Sequence, residues 1–173
     1  MIDCQNTYTR GVMELEGVQA ALDEAAALLD RARSAGIPII HIQHDDGPGS
    51  LYDIDGESGA IVDRVAPRDD EPVVVKSYPN SFVQTDLDER LKAANTSNLV
   101  LAGFMTHMCV NSTARGAFNL GYAPTVVAAA TATRPLPGLG GDAVPAAVMQ
   151  SASLAAIADL FAVVVGDSAG IPD

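Results

Sequence analysis

The feature that most constrains this chain is an alternation. Short runs of β-branched and other apolar residues recur along it, each separated from the next by a stretch with helical spacing. Residues 37–44 (IPIIHIQH), 72–76 (PVVVK), 98–103 (NLVLAG), 124–130 (PTVVAAA) and 160–166 (LFAVVVG) are the runs. Being continuously apolar rather than alternating, they suit parallel strands covered on both faces. Residues 17–35 carry Ala and Leu at helical spacing and stop at Gly36. A Thr85-x-x-Asp88 start opens a second helix through Leu87, Leu91 and Ala94. Residues 106–120, ending at Gly121, and residues 144–159 are the third and fourth. Strand and helix in alternation predict a three-layer α-β-α sandwich of the α/β class with right-handed crossovers.

Length and charge narrow the class further. A chain of 173 residues is one domain, residues 1–173, since two would each have a thin core. Its 22 acidic against 10 basic residues give a formal charge of −12, which argues against nucleic acid as a partner. No apolar run is long enough to predict a membrane segment, and no basic-then-apolar start predicts a signal peptide. Two cysteines, Cys4 and Cys109, cannot form a disulfide framework. A soluble, cytoplasmic domain acting on a small molecule is the expectation. Residues 45–71 break the rhythm: they hold nine acidic residues and a Gly-Pro-Gly turn, and connections of this length often serve as lids.

In open parallel sheets, ligands bind beyond the carboxyl ends of the strands. Three reactive residue types fall at such ends. Asp3 follows the short apolar pair Met1 and Ile2, Lys76 ends the run 73–75, and Cys109 lies in the first turn of the helix after run 98–103. Taken singly, each has an ordinary structural explanation: a helix cap, a solvated turn lysine, a small buried hydrophobe. Taken together they make a nucleophile with its base. A helix N-terminus and a nearby ammonium favour the thiolate of Cys109, Asp3 accepts and returns a proton, and free N–H groups around Cys109 cradle an oxyanion.

The words around these residues resemble a known family. Ile2-Asp3-Cys4-Gln5-Asn6, Lys76-Ser77-Tyr78-Pro79-Asn80-Ser81-Phe82 and Gly103-Phe104-Met105-Thr106-His107-Met108-Cys109-Val110 are similar to the signature segments of the isochorismatase-like cysteine hydrolases. Thr113-Ala114-Arg115, Gly121-Tyr122 and Gly56-x-x-Gly59 extend the likeness over nearly the whole chain. The resemblance implies a Rossmann-like fold with a six-stranded parallel sheet and an Asp3, Lys76, Cys109 triad. It also implies a cis peptide between Phe104 and Met105 and an oxyanion hole of the Met105 and Cys109 backbone N–H groups. Relatives commonly assemble as homo-oligomers, so the same is expected of this chain.

His41 and His44 lie three apart on a strand and so face opposite ways, and the sequence after them lacks the metal-ligand pattern of the family's nicotinamidases. No metal and no cofactor is expected. Tyr8, His44, Tyr52, Tyr78, Phe82, Phe104 and His107 are candidate walls of the substrate pocket. A retained cysteine favours hydrolysis of a small amide, carbamoyl or lactam C–N bond through a thioester. The alternatives are an isochorismatase-type vinyl-ether hydrolase and a non-catalytic, redox-responsive member of the fold. The acidic residues 45–71 hint at a cationic or neutral substrate by steering.

Overall fold

The computed structural model describes residues 1–68 and 70–172. Five parallel strands carry the architecture: β1 (His41–His44), β2 (Val73–Lys76), β3 (Asn98–Phe104), β4 (Ala123–Ala132) and, near the end of the chain, β7 (Val163–Val165). Between β4 and β7 a small antiparallel hairpin intervenes, β5 (Leu136–Pro137) with β6 (Ala143–Val144), which the apolar pattern does not foretell because each arm is two residues long. Four helices alternate with the parallel strands: α1 (Val18–Ser34), α2 (Leu87–Ala93), α3 (Asn111–Asn119) and α4 (Ala146–Ala158).

Burial on these elements follows their periodicities. On α1, Val18, Ala21, Leu22, Ala25, Leu28 and Leu29 are buried, one stripe of a 3.6-residue helix. They pack on Ala102, Phe104, Val127 and Ala130 from one face of the strands. The adjacent residues Leu101 and Val126 point the other way, joining Ile2, Ile42 and Val74 beneath α2, α3 and α4. Helices therefore cover both faces, as the continuous apolar runs require.

The expected six-stranded sheet needs correction. Two parallel ladders are present instead, β1 with β2 and the order β3-β4-β7. Ile2 lies between them and forms a single parallel bridge to Ile42 on one side and to Gly103 on the other. The physical reason is the backbone at Asp3, which turns to φ 49 and ends the extended segment after one paired residue. The seam is nevertheless fully bonded. Ile2 N donates to Ala102 O (2.8 Å), Phe104 N to Ile2 O (2.8 Å), Ile42 N to Met1 O (2.7 Å) and Asp3 N to Ile42 O (3.0 Å). β1 is also shorter than the run 37–44, because Pro38 has no N–H and the Ile40 carbonyl accepts from the Met1 nitrogen instead.

The excursion over residues 45–71 is tied down along the segment that follows Asp3. Asn6 N donates to Ala60 O, Thr7 N to Ser58 O, and Val62 N to Cys4 O. Its carboxylates are largely spoken for: Asp45 accepts from Gly47 N, Asp53 from Gly49 N and Asp55 N, and Glu57 pairs with Arg10. Glu71 is held by both arms of Arg33 and by His41. These acids cap turns within the excursion, and Glu71 ties its end to α1 through Arg33.

Gly103 is the tightest point of the seam. It sits at φ +126, and a Cβ there would lie 1.9 Å from Ile2 O. Gly103→Ala is therefore expected to cost about 3 kcal/mol or more, which for a domain of this size lowers the thermal midpoint by roughly 6–12 °C. An unchanged melting curve by circular dichroism would contradict the close approach.

Candidate active site

The turn at Asp3 that ends the central segment also drives its carboxyl into the space beyond the strand ends. Asp3 is wholly buried. Lys76 is the last residue of β2, whose alternating burial puts Val74 and Lys76 on the inner side. Cys109 lies within a π-helical turn, Thr106–Val110, that leads straight into α3. The structure brings the three together. Lys76 Nζ stands 2.7 Å from Asp3 Oδ2 and donates to Cys109 Sγ at 3.5 Å. All three residues are less than 5% exposed, with Lys76 at 2% and Cys109 at 4%.

The third donor of the ammonium goes to His44. β1 and β2 pair with His44 opposite Lys76, so the two side chains project from the same level of the ladder. Lys76 Nζ lies 3.2 Å from His44 Nδ1, and His44 Nε2 lies 3.0 Å from Asp46 Oδ1. An ammonium has no lone pair, so Nδ1 accepts and Nε2 carries the hydrogen given to Asp46. His44 is thereby placed behind the lysine. His41, its neighbour on the strand, faces Glu71 at 3.0 Å, and burial holds its pKa down at about 4. Gln5 supports the same corner. Fully buried, it donates to His44 O and Gly59 O and accepts from His44 N, fixing where β1 ends. Sequence reasoning gave Gln5 no role, although it stands within the word that contains Asp3.

Electrostatics in this crevice differ from the expectation at Cys109. Burial, then the neighbouring Asp3 carboxyl, push the thiol up to about 12, and Lys76 only partly opposes them. Burial likewise raises Asp3 above the usual carboxylate range against the pull of Lys76. The shift at the sulfur runs in the direction that favours the neutral thiol over the thiolate. The expected effect of the helix start and ammonium is outweighed because both partners of the sulfur are desolvated with it.

The backbone beside the thiol supplies donors. The peptide between Phe104 and Met105 is cis. The Met105 N–H has no hydrogen-bond acceptor among the described residues. The π-type bonding of the turn begins at Val110, whose N–H reaches Met105 O.

The candidate wall residues divide. Tyr8 is buried, and its ring meets Tyr52 at 5.8 Å. Tyr52 also stands edge-on to His44 at 5.0 Å. Burial first, and then the nearby Asp3 carboxyl, push both hydroxyl pKa values up. Phe82 instead stacks on Tyr122 in the helix-side core. Phe104 is fully buried under α1, and Tyr78 is 44% exposed. His107 bonds Thr133 Oγ1 through Nδ1 while its Nε2 is buried without a partner. Cavities of about 550 and 410 Å³ lie elsewhere, at the amino ends of β1 and β2 and beside the start of α1, and neither is lined by Asp3, Lys76 or Cys109. Tyr52 thus stands between Tyr8 and His44, beside the corner that holds Lys76.

A neutral thiol has a direct chemical consequence. Alkylation of Cys109 by iodoacetamide, followed by peptide mapping to separate it from Cys4, is expected to keep accelerating from about pH 7 to about pH 10 without a plateau. Asp3→Asn is expected to speed alkylation at any one pH, because it removes the second cause of the upward shift. A plateau reached near pH 7 in the unsubstituted protein would show a resident thiolate.

Comparison with known proteins places this geometry. Residues 1–168 match the model of the isochorismatase domain. The solved structure of an isochorismatase from Pseudomonas putida superposes with a TM-score of 0.95 at 37% identity, covering 99% of this chain and 88% of that one. A secreted isochorismatase effector of Verticillium dahliae is 34% identical over 95% of this chain and 85% of its own length. A ureidoacrylate amidohydrolase of Stutzerimonas stutzeri is 30% identical, covering 76% of this chain and 67% of its own. This chain, built from a parallel α/β scaffold with an acid, an amine and a thiol buried together beyond its strand ends, belongs to the isochorismatase family of hydrolases.

Proposed function

We propose that the protein is a cysteine-dependent amidohydrolase cleaving the C–N bond of a small amide, carbamoyl compound or lactam, with Asp3, Lys76 and Cys109 as its catalytic triad. One observation carries the reading: a single buried ammonium touches both the carboxyl and the sulfur, at 2.7 and 3.5 Å. The amidohydrolase among its relatives supports the bond class.

The chemistry runs from the neutral thiol. As Sγ attacks the carbonyl carbon, the thiol proton passes to the Asp3 carboxylate, so no free thiolate is required beforehand. The carbonyl oxygen becomes an oxyanion held by the Met105 and Cys109 N–H groups, in a crevice where such donors act strongly because water is excluded. Lys76 stabilises the negative charge as it moves from carboxylate to sulfur. Asp3 then gives its proton to the departing nitrogen, the C–N bond breaks, and a thioester remains. Water attacks that thioester with Asp3 accepting its proton, releasing the acid and restoring the thiol. Entry needs the Tyr52 segment to lift, which assigns residues 45–71 a lid function. Self-association fits the exposed apolar side chains of α4 and its flank, Val148, Leu160 and Val163.

Intact-mass spectrometry after exposure to a panel of small amides tests the reading. An acyl mass on Cys109, with ammonia released, is the expected outcome. Cys109→Ala is expected to take up no acyl group, and Asp3→Asn to lose about 1000-fold or more in kcat. Turnover of a vinyl ether by Cys109→Ala, with none by Asp3→Asn, would replace this reading by ether hydrolysis. Reversible oxidation of Cys109 with no turnover of either bond would make the protein a redox-responsive one.

A further inference from the structure

His44 is held more firmly than a pocket wall needs to be. The central segment stops pairing at Asp3, after Ile42 N has donated to Met1 O and Asp3 N to Ile42 O. Continued in the same parallel register, the next two bonds would engage His44 N and His44 O. The side-chain amide of Gln5 makes both instead. Its Oε1 accepts from His44 N and its Nε2 donates to His44 O, each at 2.9 Å. On the other side the ladder with β2 runs one residue past His44, since Asp45 N donates to Lys76 O (2.9 Å). The backbone of His44 is therefore fixed from two directions at the level of Lys76.

The imidazole is oriented just as strictly. Nδ1 lies 3.2 Å from Lys76 Nζ, Nε2 lies 3.0 Å from Asp46 Oδ1, and the Tyr52 ring stands edge-on at 5.0 Å. An ammonium only donates and a carboxylate only accepts, so both contacts are hydrogen bonds in one form of the ring, the neutral Nε2–H tautomer. Asp46, two residues on, selects that tautomer. The Asp46 side chain is 49% exposed and that of His44 13%, so the selecting charge stays in contact with water. Neutrality of the ring has a use here. A second carboxylate at this place would draw the ammonium from Asp3 and add a buried charge, whereas a neutral acceptor holds the ammonium without competing for its charge.

We infer that His44, held by Asp46, is a positioning residue: it keeps the Lys76 ammonium where it touches Asp3 and Cys109 together. The role rests on the amidohydrolase reading for the reaction it serves. His44 acts through Lys76 rather than on the substrate, which moves it from the pocket walls to the support behind the triad.

Asparagine and glutamine separate this role from packing. Asn carries its oxygen at the δ position, where Nδ1 stands, and Gln carries its polar atoms at the ε position, where Nε2 stands. Gln is nearer to His in size, so packing alone would favour it. His44→Gln is expected to lower kcat about 100-fold with KM changed by less than about 3-fold, and His44→Asn to lower kcat no more than about 5-fold. Nitrogen-15 NMR of labelled lysine gives a second reading that needs no substrate. Slowly exchanging Lys76 hydrogens are expected in His44→Asn and fast ones in His44→Gln. Should His44→Gln fail to fold, Asp46 carries the comparison in both readings. Asp46→Ala is expected to lose about 10-fold in kcat, and Asp46→Asn, whose amide oxygen still accepts from Nε2, to lose less. Equal lysine exchange within a pair of variants, fast or slow in both, overturns the inference. So does exchange that follows the acceptor while kcat does not, or a rise in KM at constant kcat, which would return His44 to the pocket wall. Exchange that follows the acceptor, with no ammonia released from any amide by the unsubstituted protein, supports the hold on Lys76 and overturns the amidohydrolase reading alone.

Discussion

A buried lysine ammonium with three neighbours within reach holds this site together. Lys76 meets Asp3 at 2.7 Å, His44 at 3.2 Å and Cys109 at 3.5 Å in a crevice almost closed to water. Burying an ammonium is costly, and it is tolerated when its donors are satisfied by well-placed acceptors. The surrounding fold meets that condition piece by piece. The seam through Ile2 turns Asp3 inward, the β1–β2 register sets His44 level with Lys76, and Gln5 fixes the end of β1. Without the cation, a carboxyl and a thiol would face each other in a dry space with nothing to balance a negative charge. With it, the proton can rest on sulfur and still be given up when a carbonyl arrives.

Periodicity made much of the scaffold legible. Continuous apolar runs implied strands covered twice, and the paired residues Leu101 with Ala102 and Val126 with Val127 do point to opposite helical layers. The rule that sites gather beyond strand carboxyl ends selected Asp3, Lys76 and Cys109 before any family was considered, because strand ends are readable from composition. What stayed hidden depended on three dimensions. A central strand reduced to one bridged residue follows from the φ of Asp3, and the two-residue arms of the β5–β6 hairpin are too short for any pattern. The thiol's surroundings were hidden for a related reason: sequence shows a neighbouring cation but not the desolvation that opposes it. The aromatic candidates divide for a similar reason, since nothing local distinguishes Phe82, stacked on Tyr122, from Tyr52, edge-on to His44.

In the proposed reaction the carboxyl, ammonium and thiol exchange a proton without a large change in net charge. No helix among the described residues is long and apolar enough to cross a membrane.

The buried ammonium is the premise on which the rest stands, and this chain offers an internal control for it. Its two lysines are Lys76 and Lys92, the latter with a side chain 69% exposed. Nitrogen-15 NMR of selectively labelled lysine can follow the side-chain hydrogens of both near neutral pH. The expected spectrum has one ammonium whose hydrogens exchange slowly with water and one whose hydrogens are averaged with solvent, the slow one losing its protection in Asp3→Asn. Two equally fast lysines, or a slow one indifferent to Asp3, would mean that the cation does not join acid to thiol.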